Sequence, residues 1–143
     1  LNVTDEQDLV QLFGDKGSEL DALRGLTGGV SATHLRTAHL SDDAFDAVIG
    51  GVSDENPRVR WWCVQVLDHI PDVRAVSAIT SALDDPVPRV RRNAAHALGC
   101  LACKPEWDGA LPTAAFERLE QIAVEDPSPK VRREAVAALL CVI

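Results

Sequence analysis

From residue 42 onward the apolar positions fall into a helical rhythm that breaks off and restarts at regular places. Val59, Cys63, Val66 and Leu67 stand at i, i+4, i+7 and i+8, and the set recurs as Val90, Ala94, Ala97, Leu98 and as Val131, Ala135, Ala138, Leu139. That spacing lays each set along one side of an α-helix. A second helical run precedes each: 42–52, 73–83 and 113–124, ending in Val52, Leu83 and Val124. Between the two runs lies a short acidic stretch: Asp54-Glu55-Asn56-Pro57-Arg58-Val59-Arg60, then Asp85-Pro86-Val87-Pro88-Arg89-Val90-Arg91, then Asp126-Pro127-Ser128-Pro129-Lys130-Val131-Arg132. All three read D-x-x-P-[RK]-V-R. Proline costs little at the opening of a helix, where its missing N–H would be unpaired anyway.

Self-similarity at a fixed period is the signature of a repeat architecture. Each unit is predicted to be a helix A, a tight acidic turn and a helix B. The motif valines lie 31 and then 41 residues apart, so the second interval holds one unit plus an insertion near Cys100 to Pro112. There Lys104-Pro105 and Trp107-Asp108-Gly109 break the period. Residues 1–41 lack the motif. They predict helices over 5–13, 18–26 and 31–40, with Ser18 and Ser31 as N-caps, and form an atypical capping repeat in which Val30 is a degenerate counterpart of Val59. The expectation is one all-α domain over 1–143 with about eight to nine helices. Its parts are capping helices at 1–41, repeats at 42–70, 71–103 and 112–143, and an inserted loop at 104–111.

Composition agrees with thin, closely packed helices. The 143 residues are 46% apolar but only 4% aromatic, with no Tyr or Met, so the core rests on Ala, Val, Leu and Ile. The formal net charge is −8, which argues against a phosphate-tracking surface, because nucleic-acid affinity comes largely from clustered Lys and Arg. The charge is uneven. Residues 1–50 hold three basic and nine acidic side chains, and the rest holds eleven and thirteen. No apolar run approaches the ~20 residues of a membrane span, and a cytoplasmic location is the expectation. The opening Leu1 reads as a trimmed start or a piece of a longer chain.

The run from Asp54 to Leu101 resembles HEAT repeats, specifically the short HEAT-like type associated with phycobilisome lyases. Asp85 to Gly99 follows that family's D-P-x-x-x-V-R-x-x-A-x-x-A-L-G almost letter for letter, and the resemblance covers about residues 42–143. It implies a right-handed α-solenoid of antiparallel helix pairs. It also implies that Arg60, Arg91 and Arg132 form a ladder with the turn carboxylates Asp54, Asp85 and Asp126 of adjacent repeats. Trp61, Trp62 and Cys63 depart from the pattern, where small or charged residues are usual.

In a HEAT solenoid the B helices line the concave surface. The positions opposite the apolar stripe of helix B are Trp61 and Gln65, Arg92 and His96, Arg133 and Ala137, flanked by Trp62, Asn93 and Glu134. An aromatic pair beside Arg, Asn and His suits an interaction hot spot, while packing into a neighbouring repeat is the plainer role for Trp62. Arg58, Arg89, Arg92, Lys130 and Arg133 read first as a solvated surface. Cys63, Cys100 and Cys141 occupy small-residue slots and read as reduced packing residues. His96, Cys100 and Cys103 share one helical side and could supply three zinc ligands, with Glu106 or Asp108 as a fourth. No second C-x-x-C supports this, and neither a metal nor a cofactor is expected. Phosphate-loop, H-E-x-x-H and G-x-S-x-G patterns are absent, and His34 and His39 have no evident nucleophile nearby.

The leading expectation is therefore a non-enzymatic scaffold holding a protein partner or a neighbouring domain on its concave B-helix surface. One alternative, carried only by the repeat subtype, is a bilin lyase-like or other chromophore-handling subunit. Another is a nucleic-acid-binding HEAT protein of the alkylated-base excision type. Residues 135–143 are all apolar, and this edge is expected to be covered by a further repeat or by a second copy.

Overall fold

The computed structural model describes residues 42–70, 72–99 and 111–142, apart from the side chains at positions 43, 44 and 142. The described residues form six helices: α1 (Asp42–Gly51), α2 (Pro57–His69), α3 (Ala75–Ala82), α4 (Pro88–Gly99), α5 (Thr113–Glu125) and α6 (Pro129–Val142). These are the A and B helices of the three motif-bearing repeats. The expected total of eight to nine is thus corrected to six among the described residues. The three helices expected over 5–13, 18–26 and 31–40 lie outside them, as do Cys100, Cys103 and residues 104–110 of the inserted loop.

Each turn between A and B helices is built by the same two local devices. The turn aspartate accepts the N–H two residues on: Asp54 Oδ1 from Asn56 at 2.8 Å, Asp85 Oδ1 from Val87 at 2.9 Å and Asp126 Oδ1 from Ser128 at 2.9 Å. This Asx turn competes with helix and stops the chain from running on. Six residues later the motif arginine folds back. Nη1 of Arg60, Arg91 and Arg132 donates to the carbonyl of its own turn aspartate at 2.9, 2.8 and 2.5 Å. A cation in the first turn of a helix opposes the macrodipole; donating to carbonyls outside the helix offsets that cost. Proline begins α2, α4 and α6, and Asn56 caps α2 by accepting the Arg58 N–H at 2.9 Å.

Helix α3 begins at Ala75 rather than Val73. Asp72 Oδ1 accepts the Arg74 N–H at 2.9 Å and holds Val73 and Arg74 in a turn ahead of the helix. The Arg74 side-chain hydrogen bond is the main reason the Asp72 carboxyl sits below the usual carboxylate range; partial burial opposes it.

The chain divides into two compact units, Leu1–Ile70 and Pro71–Ile143. In the first, α1 packs on α2; Phe45, Val48 and Val52 are buried, as are Val59, Cys63, Val66 and Leu67. In the second, α3 packs on α4 and α5 on α6, while α4 and α6 lie against each other as a layer of B helices. Small residues make that layer possible. A Cβ placed on Gly99 would lie 2.5 Å from the Cα of Ala138 and 2.6 Å from its Cβ, so only glycine fits where α6 crosses α4. The low aromatic content has its physical reason here: helices that approach this closely leave no room for rings.

Candidate functional site

The arginine fold-back leaves part of each guanidinium for other work. Arg91 donates Nε to Asp126 Oδ2 at 2.8 Å and Nη2 to Asp126 Oδ1 at 3.1 Å. It therefore ties its own turn to the next one with a two-point bridge. Only 10% of the Arg91 side chain and 4% of that of Asp126 are exposed, so the pair is buried. Burial alone would raise the Asp126 carboxyl. Hydrogen bonds from Arg91 and from the Ser128 N–H, with the charges of Arg91 and Arg118, outweigh it and hold the group below the ordinary range. These are structural roles: the bridge spends its charge inside the protein.

The polar face of the B helices makes its ion pairs at the surface instead. In the second unit Arg92 and His96 on α4 are exposed and converge on Glu134 of α6. Arg92 Nε lies 3.6 Å from Glu134 Oε2, and His96 Nδ1 lies 3.0 Å from Glu134 Oε1. Glu134 is the acidic pin that holds two neighbouring side chains at the surface. Arg133 and Ala137 are exposed beside it. Asn93 is corrected: it is 9% exposed and buried, so it offers no surface to a partner. The helical period places it beside Arg92 but does not say what covers it.

In the first unit Trp61 and Trp62 are both half-buried. Their rings meet edge to face, with centroids 4.5 Å apart and planes at 81°. Gln65 is half-buried and its Nε2 lies 3.5 Å from His69 Nε2. Cys63 is buried in its small-residue slot, whereas Cys141, expected to pack likewise, is exposed; neither forms a disulfide. Cys100 and Cys103, expected beside His96 as a trio of candidate metal ligands, lie outside the described residues. Among the described residues no three His, Cys, Asp or Glu side chains converge closely enough to hold a metal ion.

Sequence reasoning missed Arg118. Its Nε donates to Asp84 Oδ1 at 2.7 Å and its Nη1 to Gln121 Oε1 at 2.8 Å, and Gln121 Nε2 passes a further bond to Glu125 at 3.0 Å. The available signal was that Arg118 is the sole base of α5 in a chain whose preceding turn holds two adjacent aspartates. This network borders a groove of about 700 Å³ along α3 and α5, lined by Val76, Ser77, Thr80, Pro112 and Ala114. The cations at its rim, Arg74 and Arg118, are already held by Asp72 and Asp84.

Helix pairs joined by identical Asx turns and linked through an arginine rung define a helical-repeat scaffold. A family model described as HEAT repeats matches residues 31–99 and 45–140, and the chain belongs to that family. No curated protein matches it in sequence. Among solved structures it is similar to an engineered protein at 22% identity and TM-score 0.73, covering 94% of this chain and 62% of that one. It is similar to human deoxyhypusine hydroxylase in complex with glycerol at 23% identity and TM-score 0.69, covering 99% and 44%. A chain of the complex of CpcE and CpcF of phycocyanin lyase from Nostoc sp. PCC7120 aligns at 24% identity and TM-score 0.60, covering 94% and 78%. At these identities the likeness is one of fold. The chain spans less than two thirds of the first two of these structures. Among the described residues no helix is long and apolar enough to cross a membrane.

Proposed function

We propose that this HEAT-repeat scaffold is non-enzymatic and binds a protein partner through the polar faces of its B helices. The first unit offers Trp61, Trp62 and Gln65; the second offers Arg92, His96, Arg133 and Glu134. The observation that carries this reading is the exposed Arg92–Glu134–His96 cluster. It crosses from α4 to α6 at the surface, whereas the ion pair that joins the turns, Arg91–Asp126, is buried elsewhere. Surface ion pairs add little to folding, about 0–1 kcal/mol, so such a cluster is available for recognition. Half-buried tryptophans supply the apolar area that hot spots need.

The test begins with affinity capture from the native cell extract and identification of what binds. Alanine at Trp61 together with Arg92 should then weaken the purified partner at least about tenfold, or about 1.4 kcal/mol. Unchanged affinity in a folded variant would reject the B-helix face. Val136 and Leu140 on α6 are 46% and 68% exposed and support self-association as a second use of the scaffold. Light scattering that returns the mass of one chain rejects it. The chromophore-handling alternative is supported by fold likeness alone; added bilin without an absorbance shift removes it.

A further inference from the structure

Corresponding slots of the two repeats in the second unit are covered in one and open in the other. On α4 the stripe Arg91, Ala95 and Gly99 runs along one side at a spacing of four residues. The α5–α6 repeat lies over it: Asp126 takes the Arg91 guanidinium, and Ala138 crosses close over Gly99. The same slots on α6 hold Arg132, Val136 and Leu140. Ala95 is fully buried, whereas Val136 and Leu140 are exposed. The A layer repeats the contrast. Leu83, just after α3, is fully buried, and its counterpart Val124 on α5 is 78% exposed.

The polar rungs are open in the same way. Between the two repeats, Arg91 gives its Nε and Nη2 to Asp126, and Asp84 takes Arg118. Arg132, in the Arg91 slot, donates Nη1 to its own turn carbonyl, and its Nε and Nη2 have no partner among the described residues. Glu125, in the Asp84 slot, is exposed and accepts only from Gln121 among the described residues. The outer side of the α5–α6 pair thus presents a guanidinium fork anchored at one nitrogen, a carboxylate and three aliphatic side chains. Glu125 ends α5 and Arg132 lies in the first turn of α6, so donor and acceptor stand at the same end of an antiparallel pair.

We propose that this outer side is the seam of a symmetric dimer, in which α6 of each copy packs against α5 of the other and Arg132 pairs with Glu125 of the partner subunit. This rests on the self-association reading and names its contacts. Charge complementarity selects a second copy. In an isologous interface residue i meets j and j meets i. A side that holds one open fork and one carboxylate at the same height satisfies both, twice over, about a two-fold axis parallel to the helices. Arginine takes a carboxylate through two parallel hydrogen bonds, which gives the pair its direction. Val124, Val136 and Leu140 of both copies gather around that axis and leave water together. The seam is not a second α4–α6 crossing. Leu140 fills the slot of Gly99, so the covering helix stands at the ordinary spacing of about 8–10 Å and not in close backbone contact.

The experiment is light scattering of the full chain over a concentration series, with folding of each variant read by circular dichroism. The wild type should return the mass of two chains. Glu125→Arg, at an exposed site bonded only to Gln121 among the described residues, should raise the dimer dissociation constant at least about tenfold, because each dimer loses the contact twice. Adding Arg132→Glu reverses the pair and should restore the dimer. Leu140→Glu, at an exposed side chain, should independently give the mass of one chain with the helical signal intact. A dimer indifferent to either Glu125→Arg or Leu140→Glu overturns the seam, as does a folded double variant that stays dissociated; self-association then stands through another surface. A wild type with the mass of one chain at every concentration overturns both.

Discussion

Arg91 shows how one side chain can serve two levels of structure, closing its own turn through Asp85 and reaching the next through Asp126. Because the pair is buried, removing one partner leaves the other charge uncompensated, at a cost of about 3–5 kcal/mol. Arg91→Met should therefore lower stability in urea unfolding by about 3 kcal/mol. Adding Asp126→Asn should recover part of that loss, since asparagine still accepts the Ser128 N–H. The pH dependence has a definite sign. A carboxylate whose folded value lies below its unfolded value, about 3.9, stabilises the fold above that pH and loses the contribution as pH falls through the lower folded value. The stability gap between wild type and Asp126→Asn should thus be full at neutral pH and narrow below about pH 4. A gap constant with pH would show that the charge of Asp126 does not stabilise the fold.

At the scale of elements, what could be read from the chain is what is local. The Asx turn reaches two residues and the arginine fold-back six, so both are written in D-x-x-P-[RK]-V-R; the A helices end one to three residues before it and the B helices begin at its proline. Asp54→Ala should cost about 1 kcal/mol in thermal or urea melts, as for a lost cap, whereas Asp54→Asn should cost a few tenths. Features that depend on distant packing were not legible. Asn93 and Glu134 share a repeat slot, yet one is buried and the other reaches the surface. Cys141 stands in a small-residue slot of the repeat yet is exposed, and the Arg118–Asp84 contact spans 34 residues. Helical period gives direction around an axis; it carries no information on what lies over that direction. Gly99 is the sharpest case. In an exposed helix Gly→Ala would gain up to about 1 kcal/mol, but here the new methyl would meet the backbone of Ala138. Overpacking of this kind costs about 1–3 kcal/mol, so Gly99→Ala should destabilise the second unit, and a raised melting temperature would contradict the close crossing of α4 and α6.

The whole molecule combines an acidic balance with a basic layer. Net charge alone argued against anionic partners, but the charge is not spread evenly: the cations of the second unit gather on α4 and α6, and the acids of α3 and α5 lie on the other layer. An acidic protein can in this way keep a local basic face while its remaining surface stays repulsive to other anions. The central claim is that this B-helix layer, rather than the groove along α3 and α5, is where a partner docks. Amide hydrogen exchange with and without the captured partner tests it most directly. The account predicts added protection on α4 and α6, centred on Arg92–His96 and Lys130–Ala137, with α3 and α5 unchanged; protection confined to Val76–Thr80 and Ala114–Arg118 would contradict it.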